Sequence, residues 1–200
     1  VSAVAFVALL LVVVVSGRGP VPPDAAAHTW SVEHRNHGAV LTARLVTHTG
    51  TGLVPYVLVL LAGLYAGRPR DRGLACAAGF LGCLIAGQLT RYLVMVAVAR
   101  PRPPVADFAT DASRWSFPSG HTTTAALTAG LVVAALLIRG SRRLPLALAL
   151  LGGWAVAVGL TRVYLGVHWV TDVLGGWLFA TAWLGGAGWA LLRAGRRPRE

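Results

Sequence analysis

The sequence predicts an all-α fold: a polytopic membrane protein whose residues 1–200 form one domain, built as a six-transmembrane helix bundle. Three observations lead there. Hydrophobic residues make up 56% of the chain and charged residues only 12%, about half the charged fraction of an ordinary soluble domain. Apolar runs recur along the whole length, at 1–16, 52–67, 73–99, 121–138, 144–162 and 170–192. The basic residues, all Arg with no Lys, are placed at the ends of those runs rather than scattered.

Run 1–16 is short against the roughly 20 residues of a full span. A signal-peptide core is the competing reading, but no small-residue cleavage site follows, so a first span is expected. The run starts at Val1 rather than Met, which leaves the completeness of the N-terminus open. Segment 18–51 opens "GRGPVPPD", which breaks any helix, and continues as an amphipathic stretch expected to lie along the outer interface. It holds His28, His34, His37 and His48, whose irregular spacing suits solvated interfacial histidines better than a metal site. Cys76 and Cys83, seven residues apart in the 73–99 run, are too distant along a helix for a disulfide and read as small buried side chains.

The net charge of +11 raises nucleic acid as a partner, but ten of the 18 Arg fall in three clusters beside apolar runs. These are Arg68, Arg70 and Arg72; Arg139, Arg142 and Arg143; and Arg193, Arg196, Arg197 and Arg199. Such placement marks cytoplasmic loops, so a bilayer and not nucleic acid is the expected partner. Segments 18–51, 100–120 and 163–169 then lie on the opposite face, together with Asp24, Glu33, Asp107, Asp111 and Asp172.

Three motifs gather on that outer face. In "ARPRPP", residues 99–104, the prolines stop a helix and fix Arg100 and Arg102 at the membrane surface. In "FPSGHTTTAA", residues 117–126, Ser119 is the predicted N-cap of the next helix, whose free N–H groups and dipole suit an anion. Gly120 admits a ligand close to the backbone, and His121 stands beside it. In "RVYLGVHWVTD", residues 162–172, His168 and Asp172 are four apart and share a face if helical. Asp172 can then take the Nδ1 proton of His168, leaving Nε2 as nucleophile or base, while Arg162 returns to the same pocket. Several Arg, a helix N-terminus and two His on one face suit phosphoryl transfer.

The ordered set "RPRP", "PSGH" and "TRVYLGVHWVTD" closely resembles the type 2 phosphatidic acid phosphatase (PAP2) superfamily, which includes bacterial undecaprenyl-diphosphate phosphatases. The resemblance implies that His168 attacks phosphorus to form a phosphohistidine and that Asp172 orients its ring. It implies that His121 protonates the leaving oxygen and then activates water, and that Arg102, Arg162, Ser119 and the Gly120 N–H hold the phosphate. It implies no metal and no cofactor. One position departs: where the family carries a Lys, seven residues before Arg102, this chain has Met95. Arg91 lies one turn earlier, but helical side chains lean toward the N-terminus, away from the outer face, so Arg100 is the expected compensation.

The expected protein is therefore a phosphatase of the plasma membrane with its site facing the extracytoplasmic side. Its substrate would be a lipid phosphate: undecaprenyl diphosphate, phosphatidic acid or phosphatidylglycerol phosphate. A lipid phosphotransferase using the same His168 and a non-catalytic scaffold are the alternatives. Oligomeric state is not legible.

Overall fold

The structure, a computed structural model, describes residues 1–68 and 72–195, and those residues contain helices and loops but no strand. The helices are α1 (Ser2–Val15), α2 (Pro22–Glu33), α3 (His37–Thr49), α4 (Leu53–Ala66), α5 (Gly73–Val98), α6 (Gly120–Ile138), α7 (Leu144–Tyr164) and α8 (Val170–Gly195). Each of the six apolar runs is a helix, with ends within about three residues of the expected ones. Their stops have local causes. Ala99 ends α5 in a left-handed conformation just before the proline loop, and Pro145 occupies the first turn of α7, where its missing N–H costs nothing.

Helix α6 is the centre of the bundle and packs against α4, α5, α7 and α8, while α1 lies against α8 and α3 against α7. One core cluster joins Val59, Leu84, Leu127, Leu131 and Ala180 from four helices. Large apolar side chains on the outer surfaces are exposed, among them Leu60 and Leu61 on α4, Leu89 and Leu93 on α5 and Leu146 and Leu150 on α7. So much exposed apolar surface is untenable in water and natural against lipid. Among the described residues, α5, α6 and α7 are each long and apolar enough to cross a membrane. The pair α3 and α4, bent by 43°, makes a fourth if it is read as one broken span. The protein is a multi-pass membrane protein.

Arg68, Arg72 and Arg139 line one cavity at the end of the bundle formed by the N-terminus of α5 and the C-terminus of α6. Arg143 holds the N-cap position of α7 at that same end, without a side-chain capping bond. Arg70, Arg196, Arg197 and Arg199 lie outside the described residues.

Segment 18–51 differs from expectation: it forms two helices instead of one. Asn36 breaks the stretch because its side chain accepts from the N–H of Ala39 and caps α3. Nor are its histidines alike. His34, His37 and His48 are exposed, but His28 is largely buried and its Nε2 meets Asp107 at 2.9 Å.

These two helices clamp the loops at the end of the bundle away from Arg68, Arg72 and Arg139. The Arg35 guanidinium donates to the carbonyls of Tyr164 and Asp107, and that of Arg44 to Ala109. Gly166 sits in this clamp at φ +73, where an added Cβ would lie 2.6 Å from the Asp107 carbonyl oxygen and 2.3 Å from Arg35 Nη2. Both the left-handed backbone and the overlap oppose a side chain, at a combined cost of about 2 kcal/mol or more. Gly166→Ala is therefore expected to lower the melting midpoint in detergent and to cut activity, because Val167 and His168 follow directly. Gly79→Ala, with nothing within 4 Å, should leave both unchanged. Equal midpoints for the two variants would refute the clamp.

Candidate active site

His168 is not on a helix, as the i, i+4 spacing suggested. It lies in the turn between α7 and α8, and Asp172 is in the first turn of α8. The pair still meets. Asp172 Oδ2 accepts from the backbone N–H of Trp169 at 2.9 Å and lies 3.3 Å from His168 Nδ1. On its other edge, His168 Nε2 is 2.9 Å from Arg102 Nη1. A guanidinium only donates, so Nε2 is the acceptor nitrogen and the ring proton belongs on Nδ1, facing the carboxylate. Burial, with Arg102 and Arg162 nearby, pushes the His168 pKa well below the usual 6.5. The ring is thus neutral, with its Nε2 lone pair turned to the same side as the guanidinium groups.

That side is a cavity of about 370 Å³ lined by Arg91, Arg102, Gly120, His121, Arg162 and His168, with Met95, Asp111 and the 112–115 loop completing the wall. Arg102 is tethered to the loop through the carbonyls of Ser113, Arg114 and Trp115 and to that of Val167 at 2.6 Å. Arg162 is 2% exposed; its Nη1 donates to Thr47 Oγ1 at 3.2 Å, and its buried Nε has no partner among the described residues. Among the described residues no carboxylate pairs with Arg91, Arg102 or Arg162. Burying guanidinium charge without a counter-ion is costly, and an anion entering the cavity removes that cost.

The start of α6 adds N–H groups to the same wall. Its first intrahelical bond runs from the Thr123 N–H to the Ser119 carbonyl at 3.0 Å, so the N–H groups of Gly120, His121 and Thr122 precede the ladder. The turn is pinned by the Ser119 N–H, which donates to the Asp172 carbonyl at 3.0 Å. It is also pinned by close packing on α8: a Cβ at Gly175 would meet the Phe117 ring at 2.5 Å, and one at Gly176 the Ser119 carbonyl at 3.1 Å.

Three expectations need correction. Ser119 holds the N-cap position, yet its hydroxyl makes no capping bond. It is fully buried and accepts from Thr122 Oγ1 at 3.0 Å instead of facing the cavity. Arg100 does not line the cavity either. It is completely buried behind His168, with Nη1 2.6 Å from Asp172 Oδ1 and Nη2 2.7 Å from Asp24 Oδ2, so it cannot replace the family's Lys. The residue that does reach the cavity is Arg91. Its guanidinium bends toward the C-terminal end of α5, where Nη1 contacts Met95 Sδ at 3.2 Å, and it lies 3.5 Å from where a Gly120 Cβ would be. The lean of the Cα–Cβ bond was a poor guide because a long Arg side chain outreaches it. Asp24, placed by the sequence on the outer face, was given no role there; its partners are 76 and 147 residues away, beyond any local pattern.

Comparison with known proteins supplies the family. The PAP2 superfamily matches residues 76–196. Phosphatidylglycerophosphatase B of Bacillus subtilis is 36% identical over 139 residues, 66% of this chain and 64% of that protein. Undecaprenyl-diphosphatase BcrC of the same organism is 33% identical, covering 70% of this chain and 69% of that one. The first of these matches thus spans a little under two thirds of its relative's length. A crystal structure of a transmembrane PAP2-type phosphatidylglycerolphosphate phosphatase from B. subtilis superposes with a TM-score of 0.76 at 27% identity, over 94% of each chain. With the His–Asp pair, the "PSGH" helix start and the arginine-lined cavity in one place, the chain belongs to the PAP2 superfamily.

Proposed function

We propose that this protein is a membrane phosphatase that removes phosphate from a lipid phosphomonoester or diphosphate through a phosphohistidine on His168. The observation that carries the reading is the meeting of three guanidinium groups that lack carboxylate partners with a buried imidazole whose Nε2 is held unprotonated. Nε2 attacks phosphorus, and the bond from phosphorus to the lipid oxygen breaks. His121 gives that oxygen a proton. Water then loses a proton to His121 and attacks the same phosphorus, the P–N bond breaks, and inorganic phosphate leaves. Arg91, Arg102, Arg162 and the Gly120 N–H hold the three equatorial oxygens while charge builds on them.

Relatives named for phosphatidylglycerophosphate and for undecaprenyl diphosphate support the substrate class. The cavity opens at the end of the bundle opposite Arg68, Arg72 and Arg139, which supports an extracytoplasmic site in the plasma membrane under the positive-inside rule. With α1, the α3–α4 pair and α8 also crossing, the bundle would have six spans.

The test is phosphate release by purified protein in detergent with EDTA, from undecaprenyl diphosphate, phosphatidic acid and phosphatidylglycerol phosphate in parallel. Release from at least one is expected; silence on all three overturns the reading. Within it, Arg91 stands in for the family's missing Lys. A charge-assisted bond to phosphate contributes about 1.5–3 kcal/mol. Arg91→Gln is therefore expected to lower kcat/KM by about 10–100-fold, and an unchanged value would leave Arg91 as mere wall.

A further inference from the structure

Behind the His–Asp pair lies a second layer of charge that the phosphatase chemistry does not itself require. Arg100 is fully buried and all five of its N–H donors are engaged. Nη1 donates to Asp172 Oδ1 and Thr171 Oγ1, both at 2.6 Å. Nη2 donates to Asp24 Oδ2 at 2.7 Å and the Gly19 carbonyl at 2.9 Å, and Nε to the Arg18 carbonyl at 3.3 Å. Asp24, 1% exposed, also accepts from the Thr171 N–H at 2.9 Å and from its own helix start at Val21. An unbroken line of contacts runs from Asp24 through Arg100 and Asp172 to the Nδ1 of His168.

We propose that Asp24 and Arg100 are positioning residues for His168, with Arg100 fixing the Asp172 carboxylate against the ring and Asp24 balancing the charge of Arg100. The geometric half follows from the count of donors. Asp172 Oδ1 faces Arg100, which leaves Oδ2 for the Trp169 N–H and His168, so the carboxylate cannot rotate without breaking a buried ionic bond. The electrostatic half follows from the charges. Asp24, Arg100 and Asp172 together carry −1. A ring phosphorylated on Nε2 and protonated on Nδ1 carries +1, so the layer is matched to the intermediate and not to the neutral starting ring. Take away the Asp24 charge and the layer becomes neutral, and the intermediate loses its counter-charge.

This inference rests on the phosphatase reading for its rate consequence but not for its structural one, so the test has two arms. In protein labelled with 15N at histidine, with His168→Ala assigning the signal, the wild-type His168 is expected to show a protonated Nδ1 and an unprotonated Nε2. Asp24→Asn, nearly isosteric, is expected to shift it toward a mixture of tautomers. In the activity arm, Asp24→Asn should lower kcat by about 10–100-fold, the usual cost of removing an outer-layer partner, with KM little changed. The Asp24→Asn/Asp172→Asn double variant should be no slower than Asp172→Asn alone, because the first residue acts through the second. Additive losses would assign Asp24 a purely architectural role and overturn the proposal, as would an unaltered 15N spectrum. If Asp24→Asn fails to fold, Arg100→Lys carries the same two measurements: it keeps the charge but cannot span both carboxylates. A shifted spectrum in a protein that hydrolyses no lipid phosphate would keep this inference and discard the phosphatase reading.

Discussion

His168→Ala is expected to abolish phosphate release while leaving the protein folded. The imidazole is both the group that bonds to phosphorus and the group whose lone pair the surrounding residues prepare. Where the nucleophile of a comparable hydrolytic unit has been removed, the rate falls by roughly a million-fold. Folding is expected to survive because the side chain makes only two hydrogen bonds, one to Asp172 and one to Arg102, and both partners retain others. Size-exclusion behaviour and the melting midpoint check the fold, and an alkaline denaturing quench of radiolabelled substrate checks the intermediate. Labelled phosphate bound to wild type, stable in base and released by acid, is the expected signature. Turnover by the variant, or the same label on it, would remove His168 as nucleophile. The depressed pKa of His168 sets the pH profile too. A base whose pKa lies below 6.5 stays neutral through that value, so the acid limb of kcat/KM that it governs is expected below pH 6.5 and not at it.

Asp172→Asn should slow the reaction by about ten-thousand-fold with little change in substrate affinity, the scale seen when an orienting carboxylate becomes an amide. The cause here is specific. Arg100 and the Trp169 N–H both donate to this side chain, one to each oxygen. An amide can offer its oxygen to only one of them. If the oxygen keeps Arg100, the NH2 turns to His168 and its Nδ1 must accept, which moves the ring proton to Nε2 and removes the nucleophilic lone pair. If the oxygen turns to Trp169, the NH2 confronts a buried guanidinium. Affinity for a non-hydrolysable lipid phosphonate, measured alongside kcat, separates the two effects. A variant that binds and turns over like wild type would show that the carboxylate does not orient the ring.

Much of this was legible from residue order. The helix ends follow Gly, Pro and Arg punctuation, and α5, α6 and α7 end where their apolar runs do. The motif residues His121, Arg102, Arg162 and His168 line one cavity because each stands at a helix end or in a short loop on one face. What could not be read was which partner each Arg takes. Arg100 and Arg102 are two residues apart in one proline-rich turn. A regular extended chain would turn residues two apart to the same side, yet here one points into the protein and the other to the cavity. Nothing local says which. The break at Asn36 was not legible, since an Asn suits an exposed polar face and an N-cap alike, and Asn36 is both. The bend of Arg91 toward Met95 depends on a thioether contact and on the absence of a side chain at Gly120, both matters of tertiary packing.

The bond between Asp24 and Arg100 also bears on how the chain can be divided. The stretch that matches the family starts at residue 76, in α5, whereas the carboxylate that neutralises Arg100 is in α2. Phe6 of α1 likewise stacks on Phe117, beside the "PSGH" turn. A cut in the loop before α5 would therefore separate Asp24 from its guanidinium and leave Arg100 with Asp172 as its single counter-ion. The half that holds the cavity is therefore expected not to stand alone. Its charge layer is completed by an N-terminal piece whose described residues do not line the cavity, so the two are expected to behave as companions rather than as a core with an optional accessory.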